Sequence, residues 1–321
     1  MDKKLTLSQT ALITLFCVAM ILAIFDIPGL SILTIGVAAL FAVIGALSDN
    51  KSIFMSIAMV ILALVFFINP VYISDICLNC ILPGIIIGII SKNVLNYDQN
   101  SNKFEPIFVG TIAFILGIIA NYLVLKYLFN INILDQFISL TKTQLSGQMD
   151  LIQESVSTLT SAPKITEESM IQLILNIMPL ILFSRAIVLA ILTYFLAIFT
   201  LKKIRKIDLK EIKFSRFYLP GNAVLTSFVL YILIMLIEIF NIPLYTDLIL
   251  INLELIFYIL FLIQGISVAI YFSKTWLKTG QLLKIIMGVI GITLFGVMGI
   301  SILGMVDSIF DFRKVKSCEI I

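Results

Sequence analysis

The stretch from Pro179 to Leu201, PLILFSRAIVLAILTYFLAIFTL, carries a single charge, Arg185, and runs directly into Lys202-Lys203-Ile204-Arg205-Lys206. An α-helix needs about 20 apolar residues to cross roughly 30 Å of hydrocarbon, and this stretch supplies them. The basic cluster behind it marks a cytoplasmic border, because Lys and Arg accumulate on that side of membrane proteins. Working outward, similar apolar runs fall at approximately 8–26, 30–48, 53–69, 71–91, 106–128, 219–241, 247–272 and 285–306. Pro28-Gly29, Asn69-Pro70, Pro106, Pro179, Pro220-Gly221 and Pro243 stand at or beside the breaks, where helix stops belong. The expected fold is all-α: a polytopic transmembrane helical bundle of about 8–9 spans, with 1–321 as one integral membrane domain.

Composition agrees. The 321 residues are 60% hydrophobic and 13% charged, against about 25% charged in soluble domains. The net charge of +3 calls for no nucleic-acid partner, since the basic residues sit in loops between spans. The chain has no histidine. That excludes Ser-His-Asp and Cys-His catalysis, HExxH zinc sites and haem ligation by His. Of the four cysteines, Cys77 and Cys80 form a lone CLNC inside an apolar run, which reads as small apolar packing rather than redox chemistry. The opening MDKK followed by apolar residues resembles a signal peptide. It lacks a small-x-small cleavage site before Asp26 and is expected to stay as a first span. No cofactor or metal is expected. No GxxxxGK[ST] phosphate loop and no two-fold repeat of span lengths occurs.

With the N-terminus in the cytoplasm, the inner segments hold Lys3, Lys4, Lys51, Lys92, Lys103, the basic run 202–216, and Lys274, Lys278 and Lys284. The outer loops then hold Asp26, Asp75, Asp135, Asp150, Glu154, Glu167, Glu168 and Asp247. That asymmetry sets the orientation in the cell membrane. One piece conflicts with it. Nine crossings place the basic tail Asp311-Phe312-Arg313-Lys314-Val315-Lys316 outside. Either the segment with Gly288, Gly291, Gly296, Gly299 and Gly304 is not a full span, or the tail breaks the rule. The long polar stretch 129–178 faces outward. Ile138, Leu145, Ile152 and Leu159 form one apolar stripe in it, as expected of a helical connector packed on the membrane surface or the bundle.

Charges inside spans are rare and usually face the bundle interior or water. Arg185, Glu238 and Glu254 qualify, and all three fall in the outer half of the bilayer. They read either as an outward-facing ligand pocket or as an interhelical salt-bridge set. In the pocket, Arg185 grips an anionic group and a Glu binds a cation or proton. Gln264, Ser267, Asn121 and Tyr122 are candidates to line the same cavity. Close helix contact is expected at Ala19 and Ala23, at Ala38, Ala42 and Ala46, and at Gly84 and Gly88, within the fold or against a partner membrane protein.

Gly304-Met305-Val306-Asp307 followed by Asp311-Phe312-Arg313-Lys314 resembles the ending of the YybS-like family of bacterial polytopic membrane proteins. Leu82–Gly88, LPGIIIG, and the long loop leading into Pro179 resemble it as well. That family is distantly similar to the substrate-binding S subunits of energy-coupling-factor transporters, whose first helix meets the coupling subunit through an AxxxA face. The resemblance implies a membrane protein associated with small-molecule binding or transport, without an ATPase of its own. The alternative is a scaffold or assembly factor for envelope machinery. Enzymatic activity is not expected, since no motif groups a nucleophile or metal cluster.

Overall fold

The computed structural model describes residues 5–95, 103–148, 166–205, 214–219, 223–239, 246–280 and 282–315. Every regular element among them is helical. In chain order these are α1 (Leu7–Asp26), α2 (Leu33–Leu47), α3 (Asn50–Val65), α4 (Pro70–Ile76), a π-helical turn (Cys77–Ile81), α5 (Leu82–Leu95) and α6 (Glu105–Tyr127). Then follow α7 (Ile133–Ser146), α8 (Glu167–Asn176), α9 (Met178–Arg205), α10 (Ala223–Ile239), α11 (Thr246–Lys278) and α12 (Leu282–Phe310). Local chemistry explains several boundaries. Thr6 caps α1 while the Gln9 side chain returns to its backbone N–H. Asn69 accepts from Val71 N at 3.0 Å and Pro70 opens α4.

Among the described residues five helical stretches are long and apolar enough to cross a membrane: Leu7–Asp26, Pro70–Lys92, Glu105–Tyr127, Met178–Ile204 and Thr246–Lys278. The other expected spans correspond to shorter apolar helices, Leu33–Leu47, Asn50–Val65, Ala223–Ile237 and Gly296–Phe310. Large apolar side chains stand exposed around the bundle, among them Leu12, Phe54, Phe66, Ile112, Phe199 and Phe228. A surface this apolar is matched to lipid rather than water.

Close contacts fix the helix directions. The Ala38 and Ala42 carbonyls lie against Gly84 and Gly88, so α2 and α5 run parallel. Gly110 sits on Ile87, and Gly117 on the Leu78 carbonyl, so α6 runs back along α5. Tyr194 Oη donates to Lys103 O at 2.5 Å and Gly110 lies against Ala190, which together set α9 antiparallel to α6. Asn252 Nδ2 donates to Asn176 O at 2.9 Å, placing the start of α11 beside that of α9. Lys92, Lys103, Lys202, Lys203 and Lys274 therefore gather at one end of the bundle. Asp26, Asp75, Asp135 and Asp247 lie at the other.

The core has two parts that share α2. One joins α1 to α5 through Cys17, Ile21, Phe41, Ile44, Val60, Leu64 and Ile81. The other joins α2, α5, α6, α9 and α11 through Ile87, Ile107, Phe114, Ala190, Tyr194 and Phe261. Into the second part inserts the segment Phe214–Leu219, with Phe217 set edge-on to Phe104 and stacked on Phe108.

The Gly-rich last segment is not one helix. Gly296, at φ 59 and ψ −150, breaks α12 in a conformation open essentially only to glycine. Beyond it, Ser301 Oγ donates to Tyr258 O, and Gln264 Nε2 donates to Asp307 Oδ2 two turns on. Both pairs are 43 residues apart in sequence, so this second half runs parallel to α11. The chain leaves α11 at the Lys-rich end and re-enters beside Tyr258. The first half, with Gly288 against the Trp276 ring, must run back between those levels. The segment therefore enters and leaves at the same end, and the tail lies at the Lys-rich end. Of the connector, α7 packs against α8 and α6 with Ile138 and Leu145 half-buried; Ile152 and Leu159 lie outside the described residues.

Candidate functional site

Two polar clusters stand out among the described residues of this apolar bundle. The first closes the C-terminal tail onto the Phe214–Leu219 segment. Arg313 has five N–H donors, and each finds an acceptor. Nε and one Nη2 hydrogen reach Asp307 Oδ2 at 3.2 and 2.8 Å, and the other goes to Phe217 O at 2.8 Å. Nη1 reaches Ser215 O at 2.9 Å and Ser267 Oγ at 2.7 Å. Gln264 bridges Asp307 to the backbone of Leu219, accepting from Leu219 N at 3.2 Å. Ser267 Oγ donates to Phe214 O at 2.6 Å. Arg313 and Asp307 are both almost fully buried. A buried guanidinium with every donor used and a carboxylate facing it is electrically closed. It holds the re-entrant segment, α11 and Phe214–Leu219 together, and it offers nothing to a ligand. In the sequence, Asp307 and Arg313 stood out only as a tail motif, and Gln264 and Ser267 only as candidate cavity lining.

The second cluster is open. A cavity of about 110 Å³ lies between α2, α4, the π-helical turn, α6 and α9. Asp75 and Arg185 stand at its exposed rim and Thr193 lines its buried depth. The π-helical turn creates part of it. Its closing bond runs from Leu82 N to Cys77 O, one residue longer than in an α-helix, which widens the turn that carries Asn79. Asp75 Oδ1 accepts from Asn79 Nδ2 at 2.7 Å and from Asn121 Nδ2 at 2.9 Å. Asn79 Oδ1 and Thr193 Oγ1 are buried without a hydrogen-bond partner. Among the described residues Arg185 has no carboxylate within ion-pair distance, although Asp75 shares its cavity. Unmet polar atoms in an apolar core are costly and need an explanation, which water or a ligand supplies.

Of the predicted trio, Arg185 and Glu254 line different cavities. Glu254 faces a different, larger groove of about 400 Å³ with mostly apolar walls, set between α10, α11 and the second half of α12. The side chain of Glu238 lies outside the described residues. Asn121 does join the Arg185 cavity, through Asp75, whereas Gln264 and Ser267 belong to the Arg313 cluster. Asp75 was read as an outer-loop charge. Its place one helical turn before Asn79 was visible in the sequence, but the π turn that brings them to a cavity was not. Among the described residues no group of side chains is arranged to hold a metal ion.

The small-residue faces are mostly consumed within the chain. Ala38 and Ala42 meet Gly84 and Gly88 so closely that a Cβ on either glycine would strike backbone. Ala46 is buried as well, while Ala19 is exposed and Ala23 half-buried.

An apolar-surfaced, all-α bundle with polar chemistry confined to its interior is an integral membrane protein. The chain belongs to the family described as Predicted membrane protein (DUF2232), whose model matches residues 14–308. No curated protein and no solved structure matches it.

Proposed function

We propose that this chain crosses the cell membrane eight times, closes with a re-entrant hairpin, and binds a small polar solute at its outer end. One observation carries the reading: a guanidinium with no ion-pair partner among the described residues shares a cavity with two buried polar atoms that have no described partner. Membrane proteins keep such groups where they line a solute path or site. The solute enters from the acidic end, and the role is transport-associated. No ATPase belongs to the chain, so movement of the solute requires a separate energy-coupling partner or an existing gradient. The likeness to YybS-like proteins and, more distantly, to energy-coupling-factor S subunits supports the same reading. No chemical step is assigned, and the protein is proposed to be a binder rather than an enzyme.

The orientation is N-terminus inside, since the Lys-rich end then faces the cytoplasm. Eight crossings return the chain to that side, where the basic tail also belongs, and α7 and α8 lie outside. The scaffold alternative retains only the exposed part of the Ala19/Ala23 face, because the other small faces are occupied.

Native mass spectrometry of the chain purified in mild detergent tests the binding reading. Wild-type protein and Glu254→Gln are expected to retain a small molecule that Arg185→Gln loses. A bare wild-type chain that instead carries a protein partner would favour the scaffold.

A further inference from the structure

The helices that line the Arg185 cavity carry complementary chemistry. From α4 and the π turn come two acceptors, the Asp75 carboxylate and the unpartnered Asn79 Oδ1. From α9 come the Arg185 guanidinium and the unpartnered Thr193 hydroxyl. Asp75 and Arg185 face one space but do not close into an ion pair. Both described partners of Asp75 bind Oδ1, and its second oxygen has no described partner.

We infer that the ligand is a small zwitterion of amino-acid size, its carboxylate held by Arg185 and Thr193 and its ammonium by Asp75 and Asn79. The inference rests on the binding function proposed above and specifies its ligand. A simple anion would satisfy Arg185 but sit against the Asp75 charge, and a simple cation would meet the reverse conflict. A molecule with both signs meets both charges and brings no net charge into the cavity. The guanidinium presents the paired donors that suit a carboxylate, and an ammonium supplies donors to two acceptors at once. At about 110 Å³ the space equals some eight waters, at roughly 10–15 Å³ of such volume each. That accommodates an amino-acid backbone with a short side chain.

The test uses the full chain in detergent. Its melting temperature is followed against the protein amino acids, β-alanine and γ-aminobutyrate, with acetate and methylammonium as the two half-ligands. At least one zwitterion is expected to raise the melting temperature at concentrations where neither half-ligand does. Arg185→Gln and Asp75→Asn should each weaken that zwitterion about tenfold or more, the loss expected for one charge-assisted contact. Arg185→Lys, which keeps the charge, should recover part of the loss and so separate ligand contact from folding. No shift with any zwitterion, or an equal shift with acetate, overturns the inference. If native mass spectrometry still finds an anion or a neutral molecule lost in Arg185→Gln, the binding function stands and only the zwitterion falls. If nothing is retained, both fail.

Discussion

Arg313 and Arg185 each sit near acidic and amide side chains, and they do opposite things. Arg313 has all five donors engaged, one carboxylate facing it and almost no exposed surface. Arg185 has no described carboxylate partner, lies at a rim, and shares its cavity with polar atoms that have nothing to bond. The difference teaches that a charge in a membrane helix is neither functional nor structural by its residue type. What decides is whether its hydrogen-bonding capacity is already used. A saturated cluster is part of the scaffold, and an unsaturated one is available for a ligand.

Breaking the first cluster should have the largest effect. Arg313→Ala leaves Asp307 buried without its counter-charge and strands the Ser215 and Phe217 carbonyls. A loss of about 3–5 kcal/mol is expected from comparable buried pairs, read by thermal or denaturant unfolding in detergent. Arg313→Lys should rescue little, because three donors on one atom cannot reach the five acceptor directions now filled. A variant as stable as wild type would remove the clamp.

Next come the glycines where helices touch. A Cβ on Gly304 would fall against the Phe261 carbonyl and the Gly265 N–H, and one on Gly88 against the Ala42 carbonyl. Gly304→Val and Gly88→Val should each cost at least about 1–3 kcal/mol, the usual penalty of overpacking. By contrast, Ala19→Val on exposed α1 surface should stay within about 0.5 kcal/mol. Equal effects at Gly88 and Ala19 would mean that α2 and α5 do not pair as described.

Gly296→Ala probes the re-entrant turn. The positive φ there strains any residue with a side chain, and the cost should be about 1–3 kcal/mol. Cysteine placed at Lys314, in a chain stripped of its own cysteines, should be labelled from the cytoplasmic side only. Labelling from outside would restore a full ninth crossing. The smallest effect on stability is expected at Arg185→Gln, within about 0.5 kcal/mol, because no described partner is lost. That near-neutrality, set beside the large effect at Arg313, is the sharpest form of the contrast.

Much of the architecture was legible in the hydropathy of the chain. The runs at 8–26, 106–128 and 179–201 became helices with nearly those bounds, because an apolar stretch bounded by Pro or charge leaves few alternatives. The conflict over the tail was also legible, and its cause is Gly296. Hydropathy measures how apolar a stretch is, not which way it points, so a turn inside an apolar run is invisible to it. The small faces at Ala38, Ala42, Gly84 and Gly88 were readable singly. Their pairing was not, since it depends on which helices become neighbours. Arg185 stands out in the sequence as an expensive charge, but depth along the helix does not identify its cavity neighbours, and Glu254 lines another groove. Depth places residues on a level and says nothing about their angle around the bundle. Asp75 reads in the sequence as an outer-loop charge, although it lies near the end of α4, just before the π turn. Its role depends on the widened turn at Cys77–Ile81, which no residue pattern announces.

The central claim is that the Arg185 cavity holds a small molecule that its own residues leave room for. Native mass spectrometry of wild type beside Arg185→Gln tests it most directly, with matched unfolding curves to show that both are folded. The account predicts an added mass of amino-acid size on wild type that is absent from the equally stable variant. The same mass on both chains, or none on either, would contradict it.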